Sequence, residues 1–343
     1  MRFNFKALLA AAGVAALAFS PANAYEGGSW QTKPGSFIGA SAGMPPPGIY
    51  MFNQVFTYQS NLAGPGVNSV FGGNNKVGVQ AAVDVQGFIF VPGWTFLGAT
   101  YDALIVQPFV MQSLGQPIPG QASGAFNTYF VPVELTWKLG TSGFVTKAGL
   151  AFYAPTGTIQ GPAGISNVGK PFFTFQPEFA LSYLKDGWNL TAFLYEEFNT
   201  ANTRDRYTNG DIFHLDFTAT KTIGKWTFGP VGYYVAQVTD DKCPVGVCTA
   251  THPGVVSPTG VIIGNAQRFQ VFALGGLVEY NFGAASFSVW ATQEIMARAS
   301  NRFALAATGE DFSLITRGST VFATLSYRLW APEEPPKPAM FRK

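Results

Sequence analysis

Charge is scarce in this chain. Asp, Glu, Lys and Arg make up 12% of 343 residues, about half of the roughly 25% usual in soluble domains. So little charge cannot easily cover a soluble surface. With 47% hydrophobic residues the chain is also too apolar to stay disordered. Neither sign of charge dominates: the net charge is +2, and setting aside Arg2 and Lys6 leaves 19 basic residues against 19 acidic. The basic footprint that a nucleic-acid partner requires is therefore missing. His214 and His252 are the only histidines, which limits any nucleophile–histidine arrangement. Beyond the leader, no unbroken apolar run reaches the roughly 18–20 residues of a spanning helix.

What is present begins with that leader. Arg2 and Lys6 precede the apolar run Ala7 to Phe19, and Pro21-Ala22-Asn23-Ala24 ends in an Ala-x-Ala pattern. Residues 1–24 read as a signal peptide cleaved after Ala24. An exported, apolar chain without a spanning helix has one membrane solution left, a closed β-barrel.

Alternation supports it. In Asp211 to Lys221, Phe213, Leu215, Phe217 and Ala219 share one face and His214, Asp216, Thr218 and Thr220 the other. Phe173 to Tyr183 alternates likewise. Tyr129 to Leu139 sets Val131, Val133, Leu135 and Trp137 against Glu134, Thr136 and Lys138. About twelve such segments are expected: 48–60, 76–91, 94–110, 126–139, 143–154, 171–184, 188–200, 211–223, 225–239, 266–282, 285–298 and 319–330. Most exceed the ordinary strand of about 5–6 residues and can cross a bilayer at a tilt. Tight turns at Pro92-Gly93, 140–142, 185–187, Gly224 and Gly283-Ala284 alternate with long loops near 61–75, 111–125, 155–170, 201–210, 240–265 and 299–318. A soluble sandwich has no reason to keep that rhythm, whereas an outer-membrane barrel does. Trp94, Trp188, Trp226 and Trp330 all flank the short-turn end, as an interfacial girdle should.

The expected organisation is a 1–24 leader, a Gly- and Pro-rich 25–47 extension or short plug, an all-β antiparallel transmembrane barrel over 48–330, and a Pro-rich periplasmic tail over 331–343. Short turns would be periplasmic and long loops extracellular.

Several motifs stand in order along this frame. They are Met44-Pro45-Pro46-Pro47-Gly48-Ile49-Tyr50, WTFLGATY from Trp94, Ala154-Pro155-Thr156-Gly157, and SNVGKPFFTFQPEFALSY from Ser166. The most specific run, Glu196 to Asp241, holds EEFNTAN, YTNGD, HLDF and GPVGYYVAQVTDD. Over roughly 44–330 the chain resembles the outer-membrane family named for the meta-pathway of phenol degradation. Its members are regarded as transporters of the same general kind as hydrophobic-compound channels. The resemblance implies import of small hydrophobic, including aromatic, molecules. The Cys243–Cys248 loop and the tail after Trp330 fall outside the pattern.

The candidate pathway residues are Glu197, His214, Asp216 and Gln237, which alternation points into the lumen on adjacent strands, with Glu178, Glu294 and Arg298. Asp84, Asp102, Glu134 and Glu279 are further lumen carboxylates, with Lys138, Lys147 and Arg328 as basic partners. Such groups either pack a narrow barrel or form a constriction that gates passage. Tyr50, Phe52, Phe56, Tyr58, Tyr153, Tyr195, Tyr233 and Tyr234 read as girdle or lipid-facing residues, the alternative being stacking surfaces for an aromatic ligand. Cys243 and Cys248, in an exported protein, form a small disulfide loop; His252 would add only a third ligand to a metal site. No catalytic residue, metal or cofactor is expected. The reading is an outer-membrane channel for small hydrophobic compounds, whose partners are membrane lipid and the solute. The alternatives are a surface barrel whose loops bind a partner and a barrel lipid hydrolase.

Overall fold

A computed structural model describes residues 30–67, 77–115, 120–159, 167–204, 206–242, 255–256, 262–263, 268–302, 305–306, 309–311 and 313–333. The leader, the Cys243–Cys248 pair, His252 and the tail from 334 lie outside the described residues. The strands are β1 (Gly48–Ala63), β2 (Gly78–Val91), β3 (Thr95–Phe96), β4 (Ala99–Leu114), β5 (Gly120–Ala125), β6 (Thr128–Lys138), β7 (Phe144–Ala154), β8 (Thr174–Tyr183), β9 (Trp188–Asn199), β10 (Ile212–Ile223), β11 (Trp226–Gln237), β12 (Val255–Val256), β13 (Ile262–Ile263), β14 (Arg268–Asn281), β15 (Ala285–Ser300) and β16 (Ile315–Trp330). Among the described residues no helix is long and apolar enough to cross a membrane.

Twelve of these strands make one ring. Each pairs antiparallel with its neighbour in the chain's order, and β16 closes back on β1 with Phe56 facing Phe322. Closure removes every sheet edge, the condition for backbone to sit in hydrocarbon. β5 continues the line of β6 along β4, and β3 is a two-residue hairpin at the short-turn end. The third expected segment thus starts at Ala99, because Trp94 to Gly98 turn back on themselves. The β8–β9 turn requires Gly187 (φ 75°), where a Cβ would stand 2.8 Å from Thr222 O.

Two ladder irregularities overturn details of the alternation. Between Phe130 and Val133 the β6 register shifts at Pro132, which has no N–H to give. Val131 consequently points inward and is fully buried, while Val133 points outward. On β15 the ladder skips Ile295, pairing Ala273 with Glu294 but Phe272 with Met296. The extra residue inverts the phase beyond it. Ala297 and Ala299 pack inward, and Arg298, expected in the lumen, is exposed on the outer side. Asp84 is a second reversal: Val83 and Val85 face the interior, so Asp84 between them faces out.

The aromatic assignment is also corrected. Phe56, Tyr58, Tyr153, Tyr195 and Tyr233 are buried within the barrel and do not serve as a lipid girdle. The outer girdle at the short-turn end is instead Trp94, Trp188, Trp226 and Trp330 with Phe96 and Phe282, all exposed.

Candidate functional site: a lumen occupied by the N-terminal segment

The interior has two unlike sides. Along β15, β16, β1 and β2 it carries an aromatic cluster: Trp290 stacks on Phe322 at 4.8 Å, and Phe322 meets Phe56 at 4.8 Å. Along β6 to β10 it carries carboxylates. Between the sides lie residues 30–42, so the 25–47 stretch, expected as an extension or short plug, has its described part against the lumen wall.

Backbone amides of this segment meet the wall's acids. Glu197 on β9 accepts Gln31 N and Thr32 N, both at 2.8 Å. Asp216 on β10 accepts Gly35 N at 3.0 Å and Phe37 N at 3.0 Å. Thr218 receives Gly39 N at 2.9 Å, and Ser182 on β8 receives Ala42 N at 2.8 Å. Each carboxylate accepting two amides is a strong, charge-assisted contact. The segment presents Gly35 with φ 87°, where a Cβ would lie 3.0 Å from the Tyr233 ring; Gly35 O in turn accepts Trp290 Nε1 at 3.2 Å. Phe37 stacks on Phe193 at 4.5 Å with the rings nearly parallel.

His214 is fully enclosed. Its ring stacks on Tyr195 at 4.3 Å, and its Nε2 lies 3.1 Å from Glu197 Oε1, close enough for an ion pair but poorly aligned for a hydrogen bond. Glu197, His214 and Asp216 therefore form one group against the segment. Gln237 does not join them: it donates to Asp241 Oδ1 at 2.7 Å and belongs to the long-loop end. Glu178 is held by Tyr129 OH and by Gln176 Nε2 at 2.7 Å. Asp102 and Glu134 share Lys147, at 3.6 and 2.8 Å. Lys138 and Arg328 sit exposed at the short-turn rim, where Arg328 donates to Pro47 O.

Glu294 on β15 anchors the aromatic side. It accepts Tyr58 OH at 2.9 Å, Tyr233 OH at 2.8 Å and Gly318 N at 2.7 Å. Lys33 of the N-terminal segment lies 3.7 Å from it, over the Tyr58 ring at 4.1 Å and beside Trp30 and Tyr233. Burial pushes the Lys33 ammonium below the usual lysine range, opposed by the charges of Glu294 and Asp216. Lys170, in the loop after β7, donates to Trp30 O at 2.6 Å; burial takes its pKa down to about 8. Neither lysine stands out in the sequence as a lumen group, because both sit in Gly/Pro-rich stretches without alternation.

The family model described as "Putative MetA-pathway of phenol degradation" matches residues 56–309. The chain belongs to that family. No curated protein matches the sequence. Among solved structures, this phenol-degradation family barrel is similar to the COG4313 outer membrane channel from Pseudomonas putida F1. The TM-score is 0.63 at 11% identity, covering 86% of this chain and 99% of that one. A Pseudomonas aeruginosa FadL homologue aligns at a TM-score of 0.44 and 9% identity, covering 88% and 100%. The TodX monoaromatic hydrocarbon channel, as a deletion mutant, aligns at 0.41 and 10%, covering 90% and 99%. The first likeness shows the fold of an outer-membrane channel.

At the long-loop end of the family barrel, Asp241 ties the β9–β10 loop to the end of β11. It accepts Tyr207 OH at 2.5 Å, Gly210 N at 2.6 Å and Gln237 Nε2 at 2.7 Å. Burial nonetheless pushes its carboxyl up from 3.8 to about 6. The native state then holds this proton over a range where the unfolded chain has released it. The stabilisation is complete below the unfolded value and is lost as pH rises through the folded one. Relative to Asp241→Asn, the wild type is expected to lose on the order of 2–3 kcal/mol between about pH 4 and 7. Urea unfolding of both proteins across that range checks this; a pH-independent difference would contradict it.

Proposed function

We propose that the protein is an outer-membrane channel for small hydrophobic solutes, closed at rest by residues 30–42 acting as a plug. The observation that carries the reading is the occupied lumen itself: Glu197 and Asp216 spend their acceptor capacity on the segment's backbone amides. A barrel of this strand number is wider than a filled eight-stranded one and narrower than an open porin, so a short segment suffices to block it. Once vacated, the lumen would offer an aromatic side and a hydrogen-bonding side, suited to a hydrophobic molecule with one polar group. Export with cleavage after Ala24, periplasmic short turns and extracellular long loops complete the proposal. Membership of the phenol-degradation family and the likeness to the COG4313 outer membrane channel agree with it. Among the described residues, His214 is enclosed and does not serve as the rim-facing imidazole that the hydrolase alternative needs.

The test is flux into vesicles with a lipopolysaccharide outer leaflet, which slows hydrophobic solutes, containing the intact chain or the chain without residues 30–42. Toluene and phenol should enter the vesicles with the shortened chain faster than protein-free ones, and those with the intact chain more slowly than the shortened chain allows. Equal rates with either chain and without protein would sink the channel reading.

A further inference from the structure

We propose that the outer face formed by β16, β1, β2 and β4 is an interface between two copies of this chain inside the membrane. On β8 and β10 the outward row at mid-height is apolar: Phe175, Phe179 and Leu181 on the first, and Phe213, Leu215 and Phe217 on the second. On β1 and β2 it is not. Asp84 is the seventh of the fourteen residues of β2, far from either end, and its outward carboxylate accepts Asn53 Nδ2 at 2.9 Å and Gln86 Nε2 at 3.4 Å. Gln86 faces Gln107 on β4, which bonds across to Thr128 at 2.7 Å. Amides and a carboxylate at half-height against lipid are unfavourable, and such groups usually face protein instead.

Shape agrees. Beside Asp84 a groove of about 570 Å³ runs across the same strands. Its walls are the exposed Val55, Phe109, Met111 and Val321, and small residues, Ala82 and Gly124, line its floor. Small residues allow close approach between membrane segments. Met111, 64% exposed, is a flexible knob of the right kind to enter a partner's groove.

The polar patch carries donors (the amides) and acceptors (the carboxylate and amide oxygens) together. It is therefore complementary to itself, which a two-fold contact between identical faces requires. A single small solute could satisfy only part of a patch that spans three strands, about 10 Å. An acyl chain could satisfy none of it.

Full-length protein with Cys243→Ser and Cys248→Ser, carrying either Thr57→Cys on this face or Leu215→Cys on the far side, should be reconstituted at low protein-to-lipid ratio. A short bis-maleimide should give a dimer band from Thr57→Cys and not from Leu215→Cys. Photobleaching of labelled protein in the same vesicles should show two steps, and Asp84→Leu combined with Asn53→Leu should weaken association at least about tenfold. That variant should keep the heat-resistant folded band, because its new side chains suit lipid; if it does not fold, Thr57→Trp, which fills the groove, takes its place. Single-step bleaching at every ratio, or equal cross-linking from both positions, would overturn the proposal and leave the groove to lipid or solute.

Discussion

Deleting residues 30–42 is expected to open the channel by about tenfold or more in single-channel conductance, with toluene flux rising in parallel. The barrel should persist, because its ring of backbone ladders closes through β1 and β16 without help from the segment. Glu197 and Asp216 would then be hydrated instead of amide-bonded. Gly35→Val is the point version. A side chain at φ 87° is strained, and its Cβ would crowd Tyr233. It should raise the frequency of openings without altering the wall. Planar bilayer recordings of both variants and the wild type decide the matter. Identical conductance in all three would mean that the segment does not block the path.

The largest stability effect is expected at Glu294. Glu294→Leu strips the acceptor from Tyr58 OH, Tyr233 OH and Gly318 N at once and leaves Lys33 without its nearest carboxylate. Losing one partner of a buried, hydrogen-bonded charge costs about 3–5 kcal/mol. Glu294→Gln keeps one acceptor oxygen and should cost only about 1–2 kcal/mol. Urea unfolding in lipid bilayers should rank wild type, Gln and Leu in that order. A Leu variant as stable as wild type would show that the cluster is solvated rather than sealed.

Much of this architecture could be read from alternation. A period of two with tight turns at regular intervals is dictated by the bilayer, so each of the twelve barrel strands overlaps an expected segment; the third begins later, at Ala99, and the expected loop 111–125 holds the end of β4 and the extra strand β5. Alternation fails where one residue is added. The bulge at Ile295 turned Arg298 outward, and the irregularity at Pro132 turned Val131 inward; a periodic reading has no means of counting an unpaired residue. Asp84 misled for a chemical reason, since a carboxylate reads as lumen-facing wherever it stands in a strand. The inward placement of Glu197, His214 and Asp216 was legible, but what meets them was not. Their partners are backbone amides of Gln31, Thr32, Gly35 and Phe37, and an amide leaves no mark on a sequence.

The seat of the N-terminal segment also bears on how the barrel is assembled. Gly35 bonds to Asp216, which is 181 residues further along the chain. The ring, however, closes only when the last strand reaches the first. Threading a segment into a finished ring would strip water from bare carboxylates before their donors arrived, an expensive intermediate. Rolling β8, β9 and β10 around a segment already in place avoids that state. On this account the order of events favours wrapping, with the β1–β16 seam sealing last. The seam is then also where the wall would first part on unfolding, so the segment need never be drawn out through an intact ring.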